Sequence, residues 1–294
     1  MNSPTHDAVS SARVYIIGNP RKKGMDKVLA DLAEFARPRC DVLGASLGAD
    51  GRPAVDAGAE RLIVLGGDGT LIGISRSLGK AQIPLVGVNA GKLGFLAEFS
   101  MEELRQHFTA CLQDSTIVDR RMVLHVEIHD QDCLCFSGLA VNDCVIQAGP
   151  PFRMVTLGCG IGNDHLTNVR GDGLIICSPC GSTAHNLSAG GPLLQPDVEA
   201  MVMTPLNPHS LTHKPLVIES HATISIEALE VNQGTTVIID GQVSCELAPG
   251  SRVTVRRNEA DMQIVRNPAY TKWHNLVTKL FWGQSPNYSA PADG

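Results

Sequence analysis

Arg61-Leu-Ile-Val-Leu-Gly-Gly-Asp-Gly-Thr70 is the stretch that decides the fold. Leu62 to Leu65 is apolar at every position, the mark of a strand covered on both faces and so of a parallel sheet lying between layers. Gly66-Gly67-Asp68-Gly69 stops the strand, and from Leu71 to Leu78 the apolar residues resume at helical spacing. A glycine turn between strand and helix lets the backbone come close to a phosphate, and amides at the following helix N-terminus favour an anion. The spacing is neither Gly-x-Gly-x-x-Gly nor a Walker A loop, so a hydride-transfer dinucleotide site is not indicated. What sets this turn apart is an acid, Asp68, held among three glycines.

Toward the N-terminus, Val14-Tyr-Ile-Ile17 reads as a strand stopped by Gly18-Asn19-Pro20, and Met25 to Phe35 carries Val28, Leu29, Leu32 and Phe35 at helical spacing. Toward the C-terminus, Pro84-Leu-Val-Gly-Val88 is another buried strand, followed by the glycine-rich Asn89-Ala-Gly-Lys-Leu-Gly-Phe95. Met101 to Leu112 follows as a helix, with Ser100 as N-cap and Glu103 at capping-box spacing. Strand, loop, helix and strand in this order predict an α/β domain with a parallel sheet over residues 1–118. From Arg121 the texture changes: Met122–His129, Phe136–Gln147, Thr223–Leu229, Thr235–Asp240 and Arg252–Val255 alternate, punctuated by Gly, Asn and Pro. This predicts a mainly antiparallel β domain over 119–266. In the remaining segment, 267–294, Trp273, Leu276, Val277, Leu280 and Phe281 share one helical face, expected to be buried by docking back onto the first domain; Gln284 to Gly294 reads as a polar tail.

The composition sets bounds on function. Of 294 residues, 43% are hydrophobic and only 4% aromatic, so the cores must be built mainly from Val, Ile, Leu and Ala. A formal net charge of −6 lacks the basic footprint of a nucleic-acid binder; an anionic substrate must be met by local basic residues or amides. No apolar run approaches the roughly 20 residues of a membrane span. Met1 to Ser11 has no apolar signal core, and a cytoplasmic location without a membrane partner is expected. Nine cysteines, an odd number in a long chain, are expected as reduced thiols. Structural zinc usually takes two such pairs, or a His pair, at fixed spacing, but Cys133-x-Cys135 lies in an alternating stretch that points both to one sheet face, so these and Cys177-x-x-Cys180 are expected as small buried hydrophobes rather than metal ligands.

A second motif carries more. Gly171-Asp-Gly-Leu-Ile-Ile-Cys-Ser-Pro-Cys-Gly-Ser-Thr-Ala-His-Asn-Leu-Ser-Ala-Gly-Gly-Pro192 opens with a strand, Leu174–Ile176, and turns into a run of small polar residues at Ser178–Asn186. Small side chains and exposed amides there let a flat ring or a phosphate approach the backbone. Gly66-Gly-Asp-Gly-Thr70 resembles the signature of the superfamily that joins NAD kinases, diacylglycerol-type lipid kinases and 6-phosphofructokinases. The 171–192 stretch closely resembles the long motif of the NAD kinases themselves. Val88-Asn-Ala-Gly-Lys-Leu-Gly-Phe-Leu96, Val141-Asn-Asp143 and Asp240-Gly-Gln242 match the same family, in order, over nearly the whole chain.

The resemblance implies phosphorylation of the adenosine-ribose 2′-hydroxyl of NAD with ATP as donor. It implies that Asp68 is the general base and that Gly69 contacts the dinucleotide. Asn142 and Asp143 would hold ribose hydroxyls or the adenine edge, and Asp172 the nicotinamide side. Thr183, Ala184, His185 and Ser188 would line the adenine pocket, while Arg153, Arg170 and Gln242 approach NAD. Gly66, Gly67 and Thr70 would cradle donor phosphates, with Asn19 and Arg21 in the early basic loop nearby. A divalent cation, Mg2+ or Mn2+, is implied as a companion of ATP; no all-protein metal cage is visible. A homo-oligomer, dimer or tetramer, is implied as well, and polyphosphate as a further donor stays open. Two departures stand out: Asp143 where the family usually has Glu, one methylene shorter, and His185 where it usually has Tyr. The competing functions are a lipid or sugar kinase with the same glycine loop, a silent NAD(P)-binding sensor and a zinc-stabilised interaction module. The 171–192 stretch speaks against the first and the presence of Asp68 against the second.

Overall fold

The computed structural model describes residues 12–89, 91 and 94–283. The first half alternates as expected: β1 (Arg13–Gly18), α1 (Met25–Ala36), β2 (Asp41–Leu47), α2 (Arg52–Asp56), β3 (Arg61–Leu65), α3 (Asp68–Leu78) and β4 (Leu85–Val88). The next helix is broken at His107 into α4 (Met101–Gln106) and α5 (Phe108–Gln113), but its start is the predicted capping box, Ser100 and Glu103 each bonding the other's backbone amide. Then come β5 (Val118–Arg121), β6 (Leu124–Asp130), β7 (Cys133–Ala140), β8 (Asp143–Gln147), β9 (Val155–Ile161), β10 (Asp164–Gly171), β11 (Gly173–Cys177) and α6 (His185–Ser188). The chain closes with β12 (Ala200–Leu206), β13 (Leu216–Glu219), β14 (Ile224–Glu230), β15 (Thr236–Ile239), β16 (Val243–Glu246), β17 (Arg252–Arg257), β18 (Met262–Val265) and α7 (His274–Leu280).

The strands form three six-stranded sheets. The first has the order β2-β1-β3-β4-β18-β5 and is parallel from β2 through β18. One face packs α1, α4 and α5 around Leu32, Ile63, Val86 and Phe99; the other packs α2 and α3 around Leu62, Val64, Leu71 and Ile74. That two-sided cover is why β3 is apolar throughout. The expected domain limits at 118 and 266 fall beside β5 and β18, both of which pair within this first sheet, so the 119–266 segment contributes its two ends to the α/β domain. Each is only four residues long, too short to carry a pairing signal of its own.

The other two sheets, β10-β9-β14-β17-β6-β7 and β13-β12-β11-β8-β15-β16, are antiparallel. They enclose a shared core of Leu124, Val126, Ile146, Leu157, Leu174, Ile176, Ile226 and Val253, a sandwich of the expected β class. The outer face of the second of them is also covered, by Ala189 and Leu194 against Val145, Ile175, Cys177 and Val202. Hence all five residues of β11 are buried.

Two expectations fail here. Cys133 and Cys135 are exposed, not buried, because β7 is the edge strand of its sheet and its first turn projects beyond the core. The apolar stripe of the last helix is also not buried: Trp273, Val277 and Phe281 are 53%, 42% and 63% exposed. The helix is held to the first domain by polar bonds instead, Asn275 donating to the Phe95 carbonyl and to the Glu98 carboxylate, and it ends where Phe281 turns left-handed at φ 53°. The polar tail from Gln284 onward lies outside the described residues. No helix of the described residues is long and apolar enough to cross a membrane.

Candidate functional site

The parallel register places three loops side by side. Gly18 is paired with Leu65, and Leu65 with Val88, so the segments after β1, β3 and β4 leave the sheet at one level. This is the edge where open α/β sheets bind their ligands. Asn19 donates to the Thr70 hydroxyl at 2.8 Å, and its own side-chain oxygen accepts the Arg21 amide at 2.9 Å. The Lys22 ammonium reaches the Asn89 side chain at 2.8 Å, a cation in this crevice that motif matching overlooked. Gly67, the N-cap of α3, offers no side-chain cap; the Thr70 amide is met by the Gly67 carbonyl at 2.9 Å, and the uncapped helix start favours an anion.

Asp68 is tied more firmly than a loop acid need be. Its Oδ2 accepts the Phe95 amide at 2.7 Å, and its Oδ1 accepts the Leu96 and Ala97 amides at 3.0 Å each. A carboxylate has about four acceptor positions, so three are filled and one, on Oδ2, stays open. The approach is close enough that a β-carbon at Gly94 would lie 1.8 Å from Oδ1. The glycine-rich segment after β4 is thus shaped to clasp the acid at the head of α3.

Loops of the β domain meet this helix from the other side. Asp240, in the left-handed region at φ 50°, accepts the amides of Val141, Asn142 and Asp143 at 3.1, 2.7 and 3.1 Å. Arg76 of α3 reaches Asp240 at 3.3 Å and Gln242 at 2.7 Å, and Gln242 donates to the Gly69 carbonyl at 2.9 Å. The Asn142 carbonyl in turn accepts the Ser178 amide at 2.9 Å. A β-carbon at Gly181 would stand 2.1 Å from that carbonyl, which explains a glycine in the middle of the Cys180–Thr183 turn. Asp143 is 4% exposed; burial, with the neighbouring Asp240, pushes its carboxyl up to about 7. Burial also raises Asp240, against the pull of the three amides and of Arg76. Of the pair, Asp143 is the one that takes up the proton, since the oxygens of Asp240 are already met by four donors.

Among the expected site residues, Asn19, Arg21, Gly66, Gly67, Asp68, Gly69, Thr70, Asn142, Asp143 and Gln242 are therefore brought to one junction between the domains. Thr183 follows within the turn that packs on Asn142, and it lines a cleft of about 290 Å³ walled by Phe95, Leu96, Leu194, Trp273 and Leu276. Ala184, His185 and Ser188 lie on the next turn, with His185 and Ser188 exposed. Arg153, Arg170 and Asp172 are not part of the junction. Asp172, bonded to Asn207 at 2.8 Å, sits at the start of β11, and the turn toward Thr183 leaves from its end, about 15 Å away at strand spacing. Arg153 and Arg170 are exposed on that same side. Sequence reading missed Arg76 and Lys22, which belong to no glycine-rich signature. For Arg76 the available signal was its place two turns beyond Asp68 on the same helix.

Known proteins match the chain across both of its domains. The ATP-NAD kinase N-terminal domain family matches residues 46–116, and the ATP-NAD kinase C-terminal domain family matches residues 141–267. An NAD kinase of Geobacter metallireducens is 41% identical over 226 residues, covering 77% of this chain and 80% of that one. Among solved structures, yeast NADH kinase complexed with NADH superposes with a TM-score of 0.82 at 22% identity, over 96% of this chain and 91% of that one. An NAD kinase from Archaeoglobus fulgidus in complex with ATP gives 0.72 at 22% identity, over 92% and 98%. These two show the shared two-domain fold.

Proposed function

The chain belongs to the ATP-NAD kinase family, and we propose that it moves the terminal phosphoryl group of ATP to the 2′-hydroxyl of the adenosine ribose of NAD. The observation that carries this reading is the junction itself: the glycine loop at the head of α3 and the Asn142–Asp143 loop of the β domain are bonded through one set of side chains. A donor bound at the first and an acceptor bound at the second are held face to face, which is most of what phosphoryl transfer requires.

In this mechanism the donor phosphates lie against the first-turn amides of α3, with Asn19, Thr70, Arg21 and Lys22 around them. Asn142 and Asp143 hold the ribose. The 2′-oxygen attacks the γ-phosphorus, the bond to the β-phosphate oxygen breaks to leave ADP, and the 2′-proton passes to the open position on Oδ2 of Asp68. A divalent cation, Mg2+ or Mn2+, neutralises phosphate charge when bound. Phosphate oxygens would supply most of its ligands, as suits a hard cation. Arg153, Arg170 and Asp172 reach the same dinucleotide most directly from a second copy of the chain, in the homo-oligomer that the family resemblance implies.

The test is incubation with ATP, Mg2+ and NAD, with NADP read by a dehydrogenase specific for it. NADP formation is expected; no NADP, with phosphorylation of a diacylglycerol or a sugar phosphate instead, would assign the chain to another branch. Replacing ATP with polyphosphate in the same assay decides donor breadth.

The exposed imidazole of His185 offers a nucleobase less stacking area than a phenol. His185→Tyr is expected to tighten NAD binding by about 0.5–1.5 kcal/mol, seen as a lower KM for NAD at unchanged turnover. Unchanged KM with collapsed turnover would move His185 from the pocket to the chemistry.

A further inference from the structure

We propose that Arg76 is a positioning residue that locks the phosphate-loop helix to the turn presenting Asn142 and Asp143, so that NAD binding depends on a side chain that does not touch NAD. The proposal rests on the function argued above and adds to it a coupling between the two halves of the site.

The guanidinium lies at the junction, 16% exposed, while the side chain of Asp240 is fully buried. Nη1 points at the Asp240 carboxylate at 3.3 Å and at the Ile239 carbonyl at 3.4 Å, and Nη2 donates to Gln242 at 2.7 Å. Gln242 closes a ring by donating to the Gly69 carbonyl, one residue past Asp68. Thus α3 is grasped at both ends by the same turn, at Gly69 near its start and at Arg76 near its finish. On the far side of Asp240, its two oxygens order the amides of residues 141–143. A planar fork suits this task because it holds three acceptors in one fixed plane; an ammonium is a point charge without that geometry.

Charge adds a second consequence. The groups facing Asp143 are Asp240 from the β15–β16 turn, with Arg76 beyond it, and the thiols of Cys144 on β8 and Cys177 on β11; Cys180, next to Cys177, faces Arg121, Asp68 and Asp240. Burial keeps Cys177 and Cys180 raised to about 12 and Cys144 higher still, so they stay neutral at working pH. Arg76 is the cation bonded to Asp240, and without it two carboxylates share the pocket with one fewer counter-charge. An ionised Asp143 accepts ribose hydroxyls through both oxygens and the protonated acid through one, so the pH at which NAD binding strengthens reports on the charges around the Asp143–Asp240 pair, Arg76 among them.

The test measures KM for NAD and for ATP, and the pH midpoint of the NAD term, in the wild-type enzyme, Arg76→Lys and Arg76→Met. Wild-type NADP formation checks the functional reading by itself. Arg76→Met is expected to raise KM for NAD about tenfold or more, with a much smaller change for ATP, and to move the midpoint upward by about one pH unit. Arg76→Lys is expected to restore the midpoint while leaving KM for NAD three- to tenfold high. A folded Arg76→Met with wild-type KM for NAD and an unmoved midpoint, losing only thermal stability, would reduce Arg76 to a structural contact and overturn the proposal. Should Arg76→Met not fold, Arg76→Lys decides alone: a wild-type KM for NAD in that variant overturns it.

Discussion

Asp68→Asn is expected to lower turnover by at least about a hundredfold while leaving a folded protein, because a positioned base contributes roughly 10²–10⁴ to such a step. The structure adds a cost that the isosteric shape of Asn conceals. Both oxygens of Asp68 accept backbone amides, one on Oδ2 and two on Oδ1. In the amide side chain one of those oxygens becomes an NH2, which sets donor against donor whichever way it is turned. At least one amide of residues 95–97 then loses its partner, worth about 1–3 kcal/mol when buried. The variant should therefore melt earlier and still fold. Turnover at saturating ATP and NAD separates the two roles. A lost base depresses kcat with KM for NAD nearly unchanged, whereas a lost clasp raises KM and lets kcat recover at saturation. Near-native kcat in the folded variant would remove Asp68 from the chemistry.

The parts of this molecule written in its sequence are those set by neighbours along the chain. β3, its glycine turn and α3 were legible because a doubly covered strand must be apolar and a phosphate loop must be small. The capping box at Ser100 and Glu103 was legible because three residues of spacing define it. What escaped is long-range. Nothing near β18 says that four residues from the end of the β domain will pair with β4, where Ile264 meets Leu85, 179 positions earlier. Likewise Arg76 and Asp240 are 164 positions apart, and each reads alone as an ordinary polar residue. The failed stripe of the last helix has the same origin: periodicity shows that a face exists, not what meets it, and here Asn275 makes the attachment. The fold class was thus open to local reasoning, while the bonds that aim the candidate site belong to the tertiary structure.

Asp143→Asn is expected to make the unliganded protein less sensitive to pH and more stable on the alkaline side. The carboxyl of Asp143 is held at about 7 in the fold, against 3.8 when unperturbed. Between those values the folded chain holds a proton that the unfolded chain has released, so stability falls as pH rises through this window. The sign is opposite to that of a salt-bridged carboxylate: the contribution is fully present below about pH 4, is lost by about pH 7 and stays lost above. Roughly three pH units at about 1.4 kcal/mol each give a swing on the order of 4 kcal/mol. Asn carries no charge at any pH, and its NH2 can donate toward the neighbouring Asp240. The two proteins should differ little in stability at pH 4 and most at pH 8, with the variant ahead. Denaturant unfolding at both values without nucleotide gives the comparison; an equal difference at pH 4 and 8 would mean that Asp143 ionises normally inside the fold. The same variant should bind NAD poorly, because an amide can accept through only one atom where a carboxylate accepts ribose hydroxyls through two. A site that gains stability by losing its acid is one in which the buried charge is kept for the ligand, at the expense of the empty protein.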